Sequence, residues 1–87
     1  MFLDEVWNLP PPLAMGLQQV VGENIKRLRS ARGLSQEVLA DRSGIDMRYL
    51  GGIERGQENP TLKVIENVAE ALGVHPSTLL LEPCGKG

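Results

Sequence analysis

Apolar residues recur along this chain at helical spacing, in blocks separated by glycine and proline, and the blocks predict helices joined by short turns. The first block runs from about Leu17 to Arg32. It puts Val21, Ile25 and Leu28 on one face, and Gly33 stops it. Ser35 is suited to cap a second helix, Glu37 favours its positive end, and Gly44 closes it. Asp46 caps a third helix, which carries Leu50 and Ile53 and runs to Arg55 before Gly56. After the loop Gln57-Glu58-Asn59-Pro60, Thr61 caps a fourth, whose apolar stripe is Leu62, Ile65, Val68, Ala69 and Leu72, with Gly73 as its stop. Pro76 suits the first turn of a fifth helix bearing Leu79 and Leu80. Five helices with short connections predict an all-α, compact five-helix bundle over residues 19–82. Residues 1–18 read as an N-terminal arm, broken at Pro10-Pro11-Pro12, and residues 83–87 as a flexible tail.

The run Gln36–Ile53, QEVLADRSGIDMRYLGGI, is the most specific stretch. Ala40 falls where a larger side chain would hold two helices apart. Gly44 comes four residues later, where a tight turn requires a positive φ. Leu50 and Ile53 share one face of the helix that follows. This is the spacing of a DNA-binding helix-turn-helix, in which the second helix enters the major groove.

Composition and charge refine the picture. The 87 residues suffice for one small domain, and 41% of them are hydrophobic, as in ordinary globular chains. The aromatics are Phe2, Trp7 and Tyr49, so the core must be aliphatic. The net charge of −2 argues mildly against a nucleic-acid binder. Its distribution softens that argument, because residues 22–57 hold seven bases against five acids while both ends are acidic. The excess is small, which implies modest affinity without a large nonspecific electrostatic grip. Cys84 stands alone, excluding an internal disulfide and a cysteine-based metal site. His75, the one histidine, has no nucleophile or metal-ligand pattern around it and reads as a capping or surface residue. No catalytic residue, cofactor, metal or small-molecule ligand is expected. The start of the chain lacks the basic residues of a signal peptide and no apolar run could cross a bilayer, so a cytoplasmic protein is expected. The apolar residues of the arm, Phe2, Leu3, Val6 and Trp7, leave two readings: a mobile end, or an arm that docks at a dimer interface.

Four segments carry a family resemblance: IKRLRSARGLSQEVLA (Ile25–Ala40), SGIDMRYLGGIERG (Ser43–Gly56), NPTL (Asn59–Leu62) and ALGVHPSTLL (Ala71–Leu80). Together they resemble the Cro/phage-repressor-like helix-turn-helix regulators, often called the Xre family, without a gap from about Val20 to Leu81. Within the family the chain is similar to compact regulators such as restriction–modification controller proteins and small phage-type repressors. The resemblance implies a lambda-repressor-like fold and a sequence-specific, self-regulating transcriptional repressor of double-stranded DNA. It further implies base contacts from Met47, Arg48 and Gly52, and phosphate contacts from Gln36, Arg55 and Asn59, with Gln36 also bracing the third helix. It implies a buried ion pair between Arg29 and Glu54.

Departures from the family pattern keep a second reading open. Many relatives carry Arg, Gln or Ser where this chain has Met47, Gly51 and Gly52, and a base near Glu58, where an acid repels phosphate. The glycine pair either lets the helix backbone approach DNA closely or marks a surface that no longer reads sequence. The competing function is accordingly a protein-interaction module, or an antitoxin-type partner-binding protein, that keeps the fold. Arg48 is the long polar side chain left on the reading face, suited to guanine. One helix-turn-helix covers few base pairs, so a homodimer on a pseudo-palindromic operator is expected. Val74, Leu79, Leu80 and Leu81 supply its interface, being more apolar residues than a short terminal helix can bury in its own bundle; Leu79 or Leu80 can face inward, and the remainder faces a partner.

Overall fold

The computed structural model describes residues 16–82, and the arm residues Phe2, Leu3, Val6 and Trp7, like Cys84, lie outside them. The described chain folds into α1 (Leu17–Ala31), α2 (Gln36–Ser43), α3 (Met47–Glu54) and α4 (Leu62–Leu72), followed by a 3₁₀ helix over Pro76–Leu80. α1 packs on α3, α2 packs on α4, and the 3₁₀ helix closes the base against α1 and α4.

Local chemistry sets these boundaries. The Ser35 hydroxyl accepts from the Val38 N–H at 3.1 Å, the Asp46 carboxylate from Arg48 N–H at 2.9 Å, and the Thr61 hydroxyl from Val64 N–H at 3.1 Å. Each satisfies one of the donors that the first turn of a helix leaves unpaired. Gly44 ends α2 at φ 74°, a left-handed conformation that costs a residue with a Cβ. The chain thereby turns within three residues, from Gly44 to Asp46, into α3.

The core is aliphatic. Val21 and Ile25 of α1, Leu39 and Ala40 of α2, and Leu50 and Ile53 of α3 meet Ile65, Val68, Ala69 and Leu72 of α4. α1 and α3 approach closely at Gly22, where an added Cβ would collide with the Ile53 carbonyl and sit 2.9 Å from the Glu54 carbonyl oxygen.

Two expectations need correcting. The fifth helix is not α-helical, so the described residues form four α-helices rather than five. Pro76 sets the backbone for a first turn, but five residues close only a tight one, in which Thr78 N–H donates to the His75 carbonyl at 2.9 Å. Leu81 then returns to extended backbone at φ −82° and ψ 136°. The second concerns Leu79, placed among the dimer-interface residues with the alternative that it or Leu80 faces inward. It is 0% exposed and completes the core beneath the bundle. The outward apolar surface of this segment is left to Leu80, Leu81 and the half-buried Val74.

Asn24 fixes the 3₁₀ helix in place. Its buried amide nitrogen donates to the carbonyls of Leu79 at 2.9 Å and Leu81 at 2.6 Å, with Thr78 at 3.4 Å. The Asn24 side-chain oxygen accepts from Arg27 at 3.3 Å. One polar side chain of α1 thus satisfies carbonyls that the short terminal turn leaves without helical partners.

Candidate nucleic-acid interface

α3 presents its N-terminal end to solvent. Met47 is 47% exposed, and Arg48 beside it is exposed with its backbone N–H held by the Asp46 cap. The opposite face is sealed, since Leu50 and Ile53 are in the core. Tyr49 packs at the edge of that core. The outer face forms one wall of an open concavity lined by Gln36, Met47, Arg48, Tyr49, Gly51, Arg55 and Glu58.

A charge network locks this helix to its neighbours. Arg29 of α1 grips Glu54 of α3 with two parallel bonds, Nε to Oε2 at 2.6 Å and Nη2 to Oε1 at 2.9 Å. The remaining Arg29 nitrogen, Nη1, donates to the Leu34 carbonyl at 2.8 Å in the turn before α2. Gln36, the first residue of α2, donates from Nε2 to Glu54 Oε1 at 2.9 Å. The side chains of the pair are 14% and 3% exposed, so the charges are removed from water and their polar atoms are met by protein. The hydrogen bond to Glu54 is the main reason that the Arg29 guanidinium is held above its ordinary pKa, against the opposing effect of burial. Through Glu54, three helices are fixed around the C-terminal end of α3.

The structure therefore brings Gln36, Met47, Arg48 and Arg55 to one concave face. Arg55 is exposed, and its Nε donates to Gln57 Oε1 at 3.0 Å. Asn59 lies elsewhere, exposed beside a separate apolar depression with Leu17, Pro60, Leu62 and Leu80. Gly52 is buried rather than open, because the side chain of Glu58 covers it. Gly51 is buried as well, and a Cβ there would sit 3.3 Å from Arg55 Nη1 and 3.8 Å from the Gln36 amide. His75 caps the 3₁₀ helix, with Nδ1 accepting from the Ser77 N–H at 3.1 Å.

Three features escape a reading of the sequence. Asn24 looks like one more polar residue of a solvated helix face, and its carbonyl partners lie more than fifty positions away. Gly22 sits inside a helical pattern, where nothing local marks a close crossing. The covering of Gly52 by Glu58 depends on how the loop after α3 folds back.

Comparison with known proteins places these features in a wider set. A family model described as helix-turn-helix matches residues 25–79. The chain is 45% identical over 60 residues to an uncharacterized helix-turn-helix-type transcriptional regulator of Sinorhizobium fredii, covering 69% of this chain and 78% of that protein. Its structure is similar to the restriction–modification controller protein C.AhdI from Aeromonas hydrophila, with a TM-score of 0.70 and 47% identity over 71% of this chain and 94% of that one. It is also similar to the hypothetical transcription factor NHTF from Neisseria, with a TM-score of 0.78 and 38% identity over 91% of this chain and 93% of that one.

Proposed function

The chain belongs to the helix-turn-helix family, and from that premise we propose that it is a DNA-binding transcription regulator, a small self-regulating repressor that inserts α3 in the major groove. The observation that carries this reading is the pairing of a solvent-facing Met47 and Arg48 with a helix fixed from behind by Arg29, Glu54 and Gln36. A reading helix must present side chains to base edges without shifting, and such a brace supplies that rigidity. Arg48 reads a guanine through O6 and N7, and Met47 packs on a thymine methyl. Gln36 and Arg55 flank the groove and contact phosphate, positioning the helix without reading sequence. Asn59 reaches the backbone from outside this concavity. The working unit is a homodimer, which lets two reading helices meet a pseudo-palindromic operator from the same side of the duplex. Its setting is cytoplasmic, and among the described residues no helix is long and apolar enough to cross a membrane.

The test compares Arg48→Ala with Gln36→Ala on two duplexes, one carrying the preferred site and one of random sequence. Arg48→Ala loses about 1–3 kcal/mol on the preferred site and far less on random DNA. Gln36→Ala weakens both alike. Equal losses for Arg48→Ala would assign it to phosphate, with sequence then read through DNA shape. Absence of binding to either duplex would favour the interaction-module reading, for which Glu58 beside the reading helix is the supporting observation.

A further inference from the structure

The loop after α3 places a carboxylate where α3 itself lacks a side chain. α3 ends in a Schellman-type turn: Gly56 N–H donates to the Ile53 carbonyl at 3.0 Å and Gln57 N–H to the Gly52 carbonyl at 2.8 Å. This turn reverses the chain and folds Glu58 back over Gly52. A Cβ at position 52 would lie 2.7 Å from Glu58 Cγ, 3.4 Å from Cδ and 3.1 Å from Oε2. The volume that a side chain at 52 would fill is therefore occupied by Glu58. A second tie holds the loop, since Gln18 Nε2 donates to the Glu58 backbone carbonyl at 2.8 Å.

The carboxylate itself is uncommitted. It lines the groove beside Met47, Arg48 and Arg55, yet among the described residues it forms no ion pair and accepts no hydrogen bond. Position 52 lies one helical turn beyond Arg48, on the same face of α3. We propose that Glu58 is a specificity-determining residue: seated on Gly52, its carboxylate accepts a hydrogen bond from an exocyclic amino group in the major groove, that of cytosine (N4) or adenine (N6). An ionised carboxylate only accepts, so it matches these donors and opposes the acceptor oxygens of guanine and thymine. A poor helix former at 52 then has a definite use, because any larger residue would displace the carboxylate. The same charge opposes phosphate, so it lowers affinity for DNA in general while sharpening the choice of site.

This inference rests on the reading of α3 as the DNA-contacting helix, and the experiment separates the two. Sites are selected from a random duplex library by the wild-type chain, Glu58→Met, Gly52→Ala and the double variant, each first verified as folded by its circular dichroism. Glu58→Met keeps the length of the side chain and removes both the charge and the acceptor oxygens. Gly52→Ala keeps the charge and pushes it off its seat. The wild type is expected to prefer cytosine or adenine over guanine and thymine by about tenfold at one position of each half-site, and the selected base identifies which amine is read. Both single variants lose that preference at that same position, and the double variant loses no more than either. If Glu58→Met strengthens binding to every sequence alike and leaves the preference intact, Glu58 is only a general repellent of DNA and the proposal fails. It fails equally if Gly52→Ala leaves the preference unchanged. A wild type that selects no site overturns the DNA-binding reading itself, and the inference with it.

Discussion

At the scale of single residues, the pair Arg29–Glu54 illustrates how burial turns a charge into a commitment. Both charges are out of water, and each is matched by a bidentate partner together with a further polar contact from Leu34 or Gln36. Glu54→Ala leaves a guanidinium without its carboxylate and is expected to cost about 3–5 kcal/mol, whereas well-fitted apolar replacement of both partners could be nearly neutral. An unchanged denaturant midpoint for Glu54→Ala would contradict this. Because the Arg29 pKa is raised by folding, its share of stability is fully present below the unfolded value. That share is lost only as pH climbs through the still higher folded value, so Arg29 adds no pH dependence near neutrality. Two glycines make a sharper comparison. A methyl at Gly22 meets backbone carbonyls of α3 that cannot step aside, and Gly22→Ala is expected to destabilise by about 1–3 kcal/mol or more. A methyl at Gly52 meets the Glu58 side chain from Cγ outward, which can rotate away where a backbone carbonyl cannot, so Gly52→Ala should lose less stability than Gly22→Ala. Thermal melts of the two variants decide between these outcomes.

Helices and turns were legible where the signal is local. Ser35, Asp46 and Thr61 announce helix starts because their side chains compete for the backbone N–H groups two or three residues on, and all three make that bond here. Gly44 announces the turn for an equally local reason, its positive φ. The terminal segment was harder. Pro76 marks a helical first turn, yet nothing in the sequence says whether five residues will wind as α or 3₁₀. The inward direction of Leu79 follows from that winding and from Asn24, whose partners are distant in the chain. The concavity beside α3 was partly legible for the same reason: the exposure of Arg48 follows from its place in α3, whereas Glu58 reaches Gly52 only through the turn that ends the helix. Asn24 should carry the terminal turn. Asn24→Ala removes the donor from buried carbonyls and is expected to cost about 1–3 kcal/mol. Loosening the turn should also displace Leu80 and Leu81, so the variant is predicted to unfold at lower denaturant and to dimerise more weakly. Unchanged values of both would mean that Leu79 alone seats the turn.

Across the described residues, exposed leucines gather at a depression separate from the concavity beside α3. Leu17, Leu62 and Leu80 border one depression, with Leu62 78% exposed, and Leu81 beyond them is 63% exposed. So much exposed leucine at one end of a small domain favours a second copy of the chain as its cover. Sedimentation at micromolar concentration is expected to give the mass of two chains, and Leu81→Glu to shift it toward one. A single-chain mass for the wild type would remove the dimer while leaving the helix-turn-helix intact. Two such chains should read DNA with paired α3 helices, and a hydroxyl-radical footprint on the DNA upstream of the protein's own gene shows whether they do. The predicted result is two symmetric protected patches with centres roughly 34 Å apart, one turn of B-form duplex. Uniform protection, no stronger there than on random DNA, would contradict it.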